Sequence, residues 1–240
     1  MKDVLKVKNL VKKYGDFEAV KDISFNIREN EIFALIGPNG AGKTTTLRVI
    51  STILQLSGGE ISINDIDVEK KPEKIREIIS YLPEEAGAYK NMTGISYLKF
   101  MAEIFIDNKE ECQKAIDTAC ELTGLEDRLK DKISSYSKGM TRKLLLAKTI
   151  MTTPKLAIMD EPTSGLDVLN AIEIRKNIRS FSSRGMAVLL SSHNMLEIEY
   201  LSDRVAIMNH GKIHVVGTPE ELKKKYEKNN LEEVFAEVVK

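Results

Sequence analysis

Residues 37–44 read Gly-Pro-Asn-Gly-Ala-Gly-Lys-Thr, a glycine-rich segment that ends in a lysine and a hydroxyl side chain. An apolar run at 32–36 precedes it and a helical pattern at 43–53 follows it, so we predict a strand, a tight turn and a helix. The three glycines let the backbone curl until successive N–H groups point inward, and the positive end of the helix adds its partial charge. This segment, called the phosphate loop below, predicts binding of a nucleoside triphosphate.

The side chains at the end of the phosphate loop supply the specific contacts. Lys43 can reach the β- and γ-phosphates, and the Thr44 hydroxyl can ligate Mg²⁺. A chance glycine-rich turn is the alternative, but both flanking segments have the pattern that a phosphate site requires. The predicted nucleotide-binding residues here are Gly37, Pro38, Asn39, Gly40, Ala41, Gly42, Lys43, Thr44 and Thr45.

A second candidate segment is Lys-Leu-Ala-Ile-Met-Asp-Glu-Pro, residues 155–162. A short apolar run that ends in acids is typical of a buried parallel strand, whose carboxyl end is where ligands bind in open α/β sheets. We expect Asp160 to hold Mg²⁺ through water and Glu161 to accept a proton from the water that attacks the γ-phosphate. Solvated charges at an ordinary strand end are the alternative, which the phosphate loop upstream disfavours.

Together with further motifs, these segments resemble the nucleotide-binding subunit of an ATP-binding cassette (ABC) transporter, over about residues 4–216. Tyr14 lies where that family stacks an aromatic ring on adenine. Ser137 and Gly139 match the signature loop, which in the family closes over ATP bound to the opposite subunit. The resemblance therefore implies ATP as the nucleotide and a site completed by a second cassette.

Two more positions extend the resemblance. Asp167, in Ser-Gly-Leu-Asp at 164–167, matches the loop that links the two active sites of the family. His193 matches the switch histidine that touches the γ-phosphate. The resemblance thus implies an ATPase whose catalytic residues are Glu161, His193 and Lys43.

The chain departs from the family pattern in two places. The usual signature is Leu-Ser-Gly-Gly-Gln, whereas residues 136–140 read Tyr-Ser-Lys-Gly-Met. The Ser137 side chain can still cap a helix that we expect to begin near Thr141, and Gly139 permits close approach to a phosphate. Glu84, in Tyr-Leu-Pro-Glu-Glu, stands where most members carry glutamine. A carboxylate can ligate Mg²⁺ but repels phosphate when the metal is absent, and this version of the segment resembles exporter-type cassettes.

The pattern of elements predicts an α/β fold: a P-loop NTPase core with a parallel sheet, a small antiparallel β subdomain and an inserted helical subdomain. We expect the ATPase domain over 1–216, with the helical subdomain at about 87–153, and a short helical extension at 217–240. The runs 205–208 and 213–216 read as two strands of a hairpin.

The composition limits the classes of partner that we expect. Lys+Arg 36 balances Asp+Glu 36, so there is no global basic field and we expect no nucleic-acid partner. No apolar run approaches the roughly 20 residues that a membrane-spanning helix needs, and no secretory leader is visible. We therefore expect a peripheral protein on the cytoplasmic face of the cell membrane, paired with an integral membrane permease.

The mechanism implied by the resemblance has two cassettes, as a homodimer or with a paired cassette subunit, that close around ATP and Mg²⁺ and drive the permease. A soluble ABC ATPase of translation or DNA repair is the alternative. Those proteins usually carry two cassettes or a long coiled-coil insertion, whereas this chain has one set of motifs.

Overall fold

The computed structural model describes residues 2–240, so residue 1, the first of the predicted ATPase domain, lies outside the described part. The strands are β1 Asp3–Tyr14, β2 Phe17–Arg28, β3 Ile32–Ile36, β4 Gly58–Ile63, β5 Ile66–Asp67, β6 Ile79–Leu82, β7 Leu156–Asp160, β8 Ala187–Ser192, β9 Arg204–Asn209 and β10 Lys212–Gly217. The helices are α1 Lys43–Ile50, α2 Pro72–Ile78, α3 Gly94–Phe105, α4 Lys109–Thr123, α5 Lys138–Ile150, α6 Val168–Ser182, α7 Met195–Leu201, α8 Pro219–Tyr226 and α9 Leu231–Val238.

The larger sheet has the strand order β10-β9-β3-β8-β7-β6. Neighbouring strands from β9 to β6 run parallel, and only the β9–β10 hairpin is antiparallel. The predicted parallel core and the hairpin are both confirmed. Strand β6, which has four residues, and helix α2 before it were not predicted from the sequence. The phosphate-loop helix α1 also ends at Ile50, three residues before the predicted end.

Alternate residues of the parallel strands face two separate cores. On β3, Ile32, Ala34 and Ile36 contribute to one core, and Phe33 and Leu35 contribute to the other. The first core continues into α3–α7 and the C-terminal helices, whereas the second contains α1 and the smaller sheet. Because both faces are covered, the strands are continuously apolar, as is typical of parallel sheets.

The smaller sheet is antiparallel, with the order β2-β1-β4-β5, and the prediction of a small antiparallel sheet is confirmed. It is joined to the larger sheet by aromatic packing: the rings of Phe25 on β2 and Phe33 on β3 stack with centroids 5.1 Å apart. The guanidinium of Arg204 on β9 lies 5.3 Å from the Phe33 ring centroid. Arg204 also donates from Nη1 to Glu31 Oε1 at 2.9 Å, which ties the start of β3 to β9.

The helices between the sheet strands begin at polar caps. The side chains of Thr93, Asn108 and Ser137 each accept a hydrogen bond from a first-turn N–H of α3, α4 and α5 respectively. Such caps satisfy N–H groups that lack a helical partner. The Ser137 cap was predicted, but α5 begins at Lys138 rather than near Thr141, because the cap starts the helix at the very next residue.

The C-terminal helices α8 and α9 pack on α7. Glu199 of α7 accepts from Lys223 Nζ at 2.5 Å and from the Leu231 N–H at 3.0 Å, so one carboxylate holds both helices. Leu222, Leu231 and Val234 are buried in the same core as α7. Among residues 2–240, no helix combines the length and apolarity that crossing a membrane would require.

The stacked Phe25–Phe33 pair generates a stability prediction. Phe33 is fully buried, so Phe33→Ala removes its transfer free energy and leaves a cavity between the sheets. We expect the free energy of unfolding to fall by about 3–5 kcal/mol. Denaturant titration measures this, with Phe105→Ala as the control, since Phe105 is 57% exposed. Similar losses in the two variants would contradict the packing role of Phe33.

Candidate nucleotide-binding site

The parallel register brings the predicted site segments to one edge of the sheet. Ile36 at the end of β3 pairs with Ser192 of β8, Asp160 of β7 pairs with Ser191, and Leu82 of β6 pairs with Met159. The phosphate loop, the two acids, the His193 loop and the Glu84 loop follow these strand ends. Segments as far apart in the chain as those that follow Ile36 and Ser192 therefore meet at the carboxyl edge, where α/β sheets bind ligands.

Two glycines allow the phosphate loop to pack against its neighbours. A Cβ atom at Gly37 would clash with the main-chain oxygen of Met208, and one at Gly42 would lie 2.6 Å from the Ala19 oxygen. Gly42 is also left-handed, with φ 104°, and it is the residue from which α1 starts. Glycine is thus required for close approach at both positions and for backbone conformation at Gly42.

Lys43 lies inside the curl of the phosphate loop. Its Nζ donates to the main-chain oxygens of Gly37 at 2.7 Å and of Pro38 at 3.2 Å, and the residue is only 6% exposed. Burial lowers the pKa of Lys43, and the nearby charges of Glu161, Asp160 and Glu84 act in the opposite direction. The ammonium is therefore held within the loop by main-chain oxygens, in the electrostatic field of three carboxylates.

Asp160 is buried at the end of β7 and is 1% exposed. Two hydroxyls donate to its Oδ1: Ser191 at 2.5 Å and Thr44 at 3.2 Å. Thr44 and Asp160, the two predicted Mg²⁺ residues at the loop, are thus already in contact. Their oxygens, with those of Glu84, are hard donors that fit Mg²⁺. Within residues 2–240 no three acidic, histidine or cysteine side chains form a ready-made metal cluster.

Glu161 combines burial with an unusual main-chain conformation. Its φ is +47°, in the left-handed region, and its N–H is held by the oxygen and the hydroxyl of Ser191, both at 3.2 Å. His193 Nδ1 lies 2.8 Å from Glu161 Oε1. Burial raises the pKa of Glu161, while the His193 hydrogen bond and the charge of Lys43 oppose that rise. The carboxylate is thereby made more basic than a solvated glutamate.

Lys43, Thr44 and Glu161 line one cleft of about 260 Å³, whereas Asp160 and His193 are not among its described lining residues. Its lining consists of Tyr14, Phe17, Ala19, Asn39, Gly40, Ala41, Gly42, Lys43, Thr44, Thr45, Glu84 and Glu161. Tyr14 and Phe17, which are both exposed, are the aromatic residues of this lining. Glu84 and Glu161 are its carboxylates, so Glu84 lies on the same cavity as the phosphate loop.

Some site residues were not identified from the sequence. Phe17 is the first residue of β2, directly after the turn that follows Tyr14, and a second aromatic so close to a predicted stacking residue could have indicated it. Ser191 follows an apolar run and was not predicted as a site residue. Its hydroxyl nevertheless forms hydrogen bonds with both Asp160 and Glu161. Arg142, described below, also contacts the acidic segment and had no recognised signal.

The signature residues lie elsewhere. Neither Ser137 nor Gly139 is among the described residues that line the cleft. A Cβ atom at Gly139 would come within 2.8 Å of Asn170, whose amide donates to Asp167 Oδ2 at 2.5 Å. The Lys138 side chain, for which the sequence suggested no contact, lies directly over Gly165. The structure therefore brings the signature segment and the loop 164–167 together. Ser137 and Gly139 do not lie on the cleft that contains the phosphate loop of the same chain.

Comparison with known proteins agrees with this geometry. Residues 20–164 match the family model described as ABC transporter. The uncharacterized ABC transporter ATP-binding protein YhcH of Bacillus subtilis is 40% identical over 214 residues, which are 89% of this chain and 69% of that protein. The linearmycin resistance ATP-binding protein LnrL of the same organism is 35% identical over 219 residues, or 91% of this chain and 70% of that protein.

The fold comparison gives the same result. A solved structure described as the ATP-binding subunit of an ABC transporter superposes with a TM-score of 0.89 and 29% identity, covering 99% of this chain and 100% of that chain. The similar proteins are ATP-binding proteins of transporters, which disfavours a role in translation or DNA repair. The chain belongs to the ABC transporter family, as an ATP-binding and ATP-hydrolysing subunit.

Proposed function

We propose that this chain energises a separate membrane permease through ATP-driven closure of two cassettes. The observation that carries the proposal is the position of Glu161: a buried carboxylate beside Lys43 and His193, on the same cleft as the phosphate loop. This arrangement suits hydrolysis of a γ-phosphate rather than nucleotide binding alone.

In the proposed reaction, the phosphate loop and Lys43 hold the triphosphate, and Tyr14 stacks on adenine. Glu161 accepts the proton of the attacking water, since burial makes it a stronger base. His193 holds Glu161 from one side and extends toward solvent, where a γ-phosphate would lie. Bound Mg²⁺, held by Thr44, Glu84 and, through water, Asp160, would neutralise charge on the phosphate oxygens.

The proposed partner cassette supplies the missing side of the cleft. Ser137 and Gly139 start α5 away from their own phosphate loop, so they are available to cover ATP on a second subunit. Asp167 caps α6 by accepting from the Asn170 N–H at 3.0 Å and adjoins the signature segment. The loop 164–167 is thus placed to link the two sites, in a homodimer or with a paired cassette.

The proposed permease contact lies around residues 85–98, between the Glu84 loop and α3. Exposed aromatic side chains there support it: Tyr89 packs edge-on against Phe100 with ring centroids 5.9 Å apart. This contact would place the chain on the cytoplasmic face of the membrane. The relative named for linearmycin resistance favours an exporter.

We also propose the domain bounds. The ATPase domain spans residues 1–216, its helical subdomain spans about 87–153, and a helical extension spans 217–240.

The base role of Glu161 is tested by Glu161→Gln. The amide keeps the shape but cannot accept the proton, so we expect hydrolysis to fall by about 100-fold or more. Mg-ATP affinity should persist and a closed dimer should accumulate, which light scattering detects. Glu60→Gln, an exposed carboxylate on β4, should hydrolyse ATP at the unaltered rate. Near-normal turnover in Glu161→Gln would remove Glu161 from the base role.

The metal role of Glu84 is tested by Glu84→Gln. Losing one negative charge on the cleft should raise the Mg²⁺ concentration needed for half-maximal activity. It should also tighten binding of ATP without metal, because a carboxylate repels phosphate. ATPase assays over a range of Mg²⁺ concentrations measure the first effect, and calorimetric titration of ATP without Mg²⁺ measures the second. If neither titration changes, Glu84 does not contribute to metal binding.

The shared site is tested by crosslinking in a chain whose native Cys112 and Cys120 are replaced by alanine. One preparation carries Gly40→Cys and the other carries Ser137→Cys, so that a mixture can form this disulfide only between chains. We expect crosslinked dimer with Mg-ATP and little without it. Each preparation alone controls for pairing of identical positions. A third preparation carries Gly40→Cys and Ser137→Cys in the same chain. If it crosslinks within one chain while the mixture stays uncrosslinked with Mg-ATP, a site shared between subunits is refuted.

A further inference from the structure

Arg142 lies in the second turn of α5, four residues after Lys138, and is 7% exposed. Its guanidinium points away from the helix toward the ends of β6 and β7. Nε donates to the Pro162 oxygen at 2.8 Å, Nη1 to the oxygens of Pro83 at 3.1 Å and Glu84 at 3.2 Å, and Nη2 to the oxygens of Asp160 at 3.0 Å and Glu161 at 2.7 Å.

These hydrogen bonds use the complete donor set of the side chain. A guanidinium has five N–H groups, one on Nε and two on each terminal nitrogen, and the contacts follow the same distribution. Every acceptor is a main-chain oxygen. The acceptors belong to two segments, 83–84 after β6 and 160–162 after β7, which are far apart in the chain. A lysine, with its donors on one atom, could not bridge both segments in this way.

The environment of Arg142 shows that the contact is more than packing. Burial lowers its pKa, whereas the charges of Glu84, Asp160 and Glu161 raise it. No carboxylate is hydrogen-bonded to the guanidinium among the described residues. Helix α5 is already anchored by Leu144, Leu145 and Leu146, which are buried in the main core. The arginine is therefore not needed to attach the helix, and its donors all serve the two site segments.

We infer that Arg142 is a positioning residue for hydrolysis, which holds the main chain beneath Glu161 and Glu84 and so sets where the two carboxylates lie. The inference rests on the proposed roles of those acids. Arg142 itself is not among the described residues that line the phosphate cleft. Its shortest bond is to the oxygen of Glu161, whose left-handed φ is unfavourable for glutamate and needs support from its surroundings.

The first test compares Arg142→Met with Arg204→Met. Both remove a largely buried arginine, but Arg204 bonds Glu31 and Asn26 at the far side of the sheet from the acids. Displacing a catalytic group by about 1 Å can cost about 100-fold, so we expect Arg142→Met to lower kcat by about 10- to 100-fold. ATP affinity should change by less than about threefold, because Lys43 and Thr44 are untouched. The Mg²⁺ concentration for half-saturation, read by calorimetry, should also rise.

Arg142→Lys provides the second variant. It keeps the charge but has three donors on one nitrogen, so kcat should fall below the unaltered value even where folding is normal. If Arg142→Met does not fold, Arg142→Lys decides the question. A folded Arg142→Met or, in its absence, Arg142→Lys with unaltered kcat would overturn the inference, as would a loss no larger than that of Arg204→Met.

A double variant separates this inference from the proposed role of Glu161. If Arg142 acts through Glu161, then Arg142→Met should reduce the residual rate of Glu161→Gln by less than about threefold, a strongly non-additive result. Equal losses in both backgrounds would overturn the inference while leaving the base role intact. Near-normal turnover of Glu161→Gln alone would instead contradict the proposed function, whatever Arg142→Met does.

Discussion

The register of four parallel strands is the constraint on which the site depends. Strands β3, β8, β7 and β6 lie side by side with their carboxyl ends aligned, because Ile36 pairs with Ser192, Asp160 with Ser191, and Met159 with Leu82. A one-residue slip in any pair would turn buried side chains to the opposite face. The two apolar cores, one on each face of the sheet, prevent such a slip, so the packing that stabilises the fold also aligns the phosphate loop with the acids.

The sequence predicts those parts of the site that depend on unusual residue types in fixed order. Gly37 and Gly42 are glycines because the neighbouring main chain leaves no room for a Cβ atom. This requirement appears in the sequence as the fixed spacing of glycines before Lys43. The Asp160–Glu161 pair is visible because it ends an apolar run. The fold class follows from the same patterns, since strands that are covered on both faces remain apolar throughout.

The parts that could not be predicted have physical reasons as well. Arg142 binds main-chain oxygens, which every residue possesses, so no pairing of side-chain types reveals its partners. Strand β6 has four residues and lies at the edge of the sheet, where only one neighbour supports it, and its pattern is too short to distinguish from a loop. Phe17 remains exposed, so apolar periodicity does not indicate it, and only its closeness to Tyr14 in the sequence could have done so.

The left-handed conformation of Glu161 affects how the thermal stability of this protein can be raised by substitution. A non-glycine residue held at such a φ costs on the order of 1–3 kcal/mol, and here a carboxylate is buried as well. Screening variants for heat resistance alone would therefore favour glycine or asparagine at this position, and would select against the side chain proposed as the catalytic base. Thermal stability and turnover therefore make opposite demands on Glu161. Stabilising substitutions have to be sought at other positions.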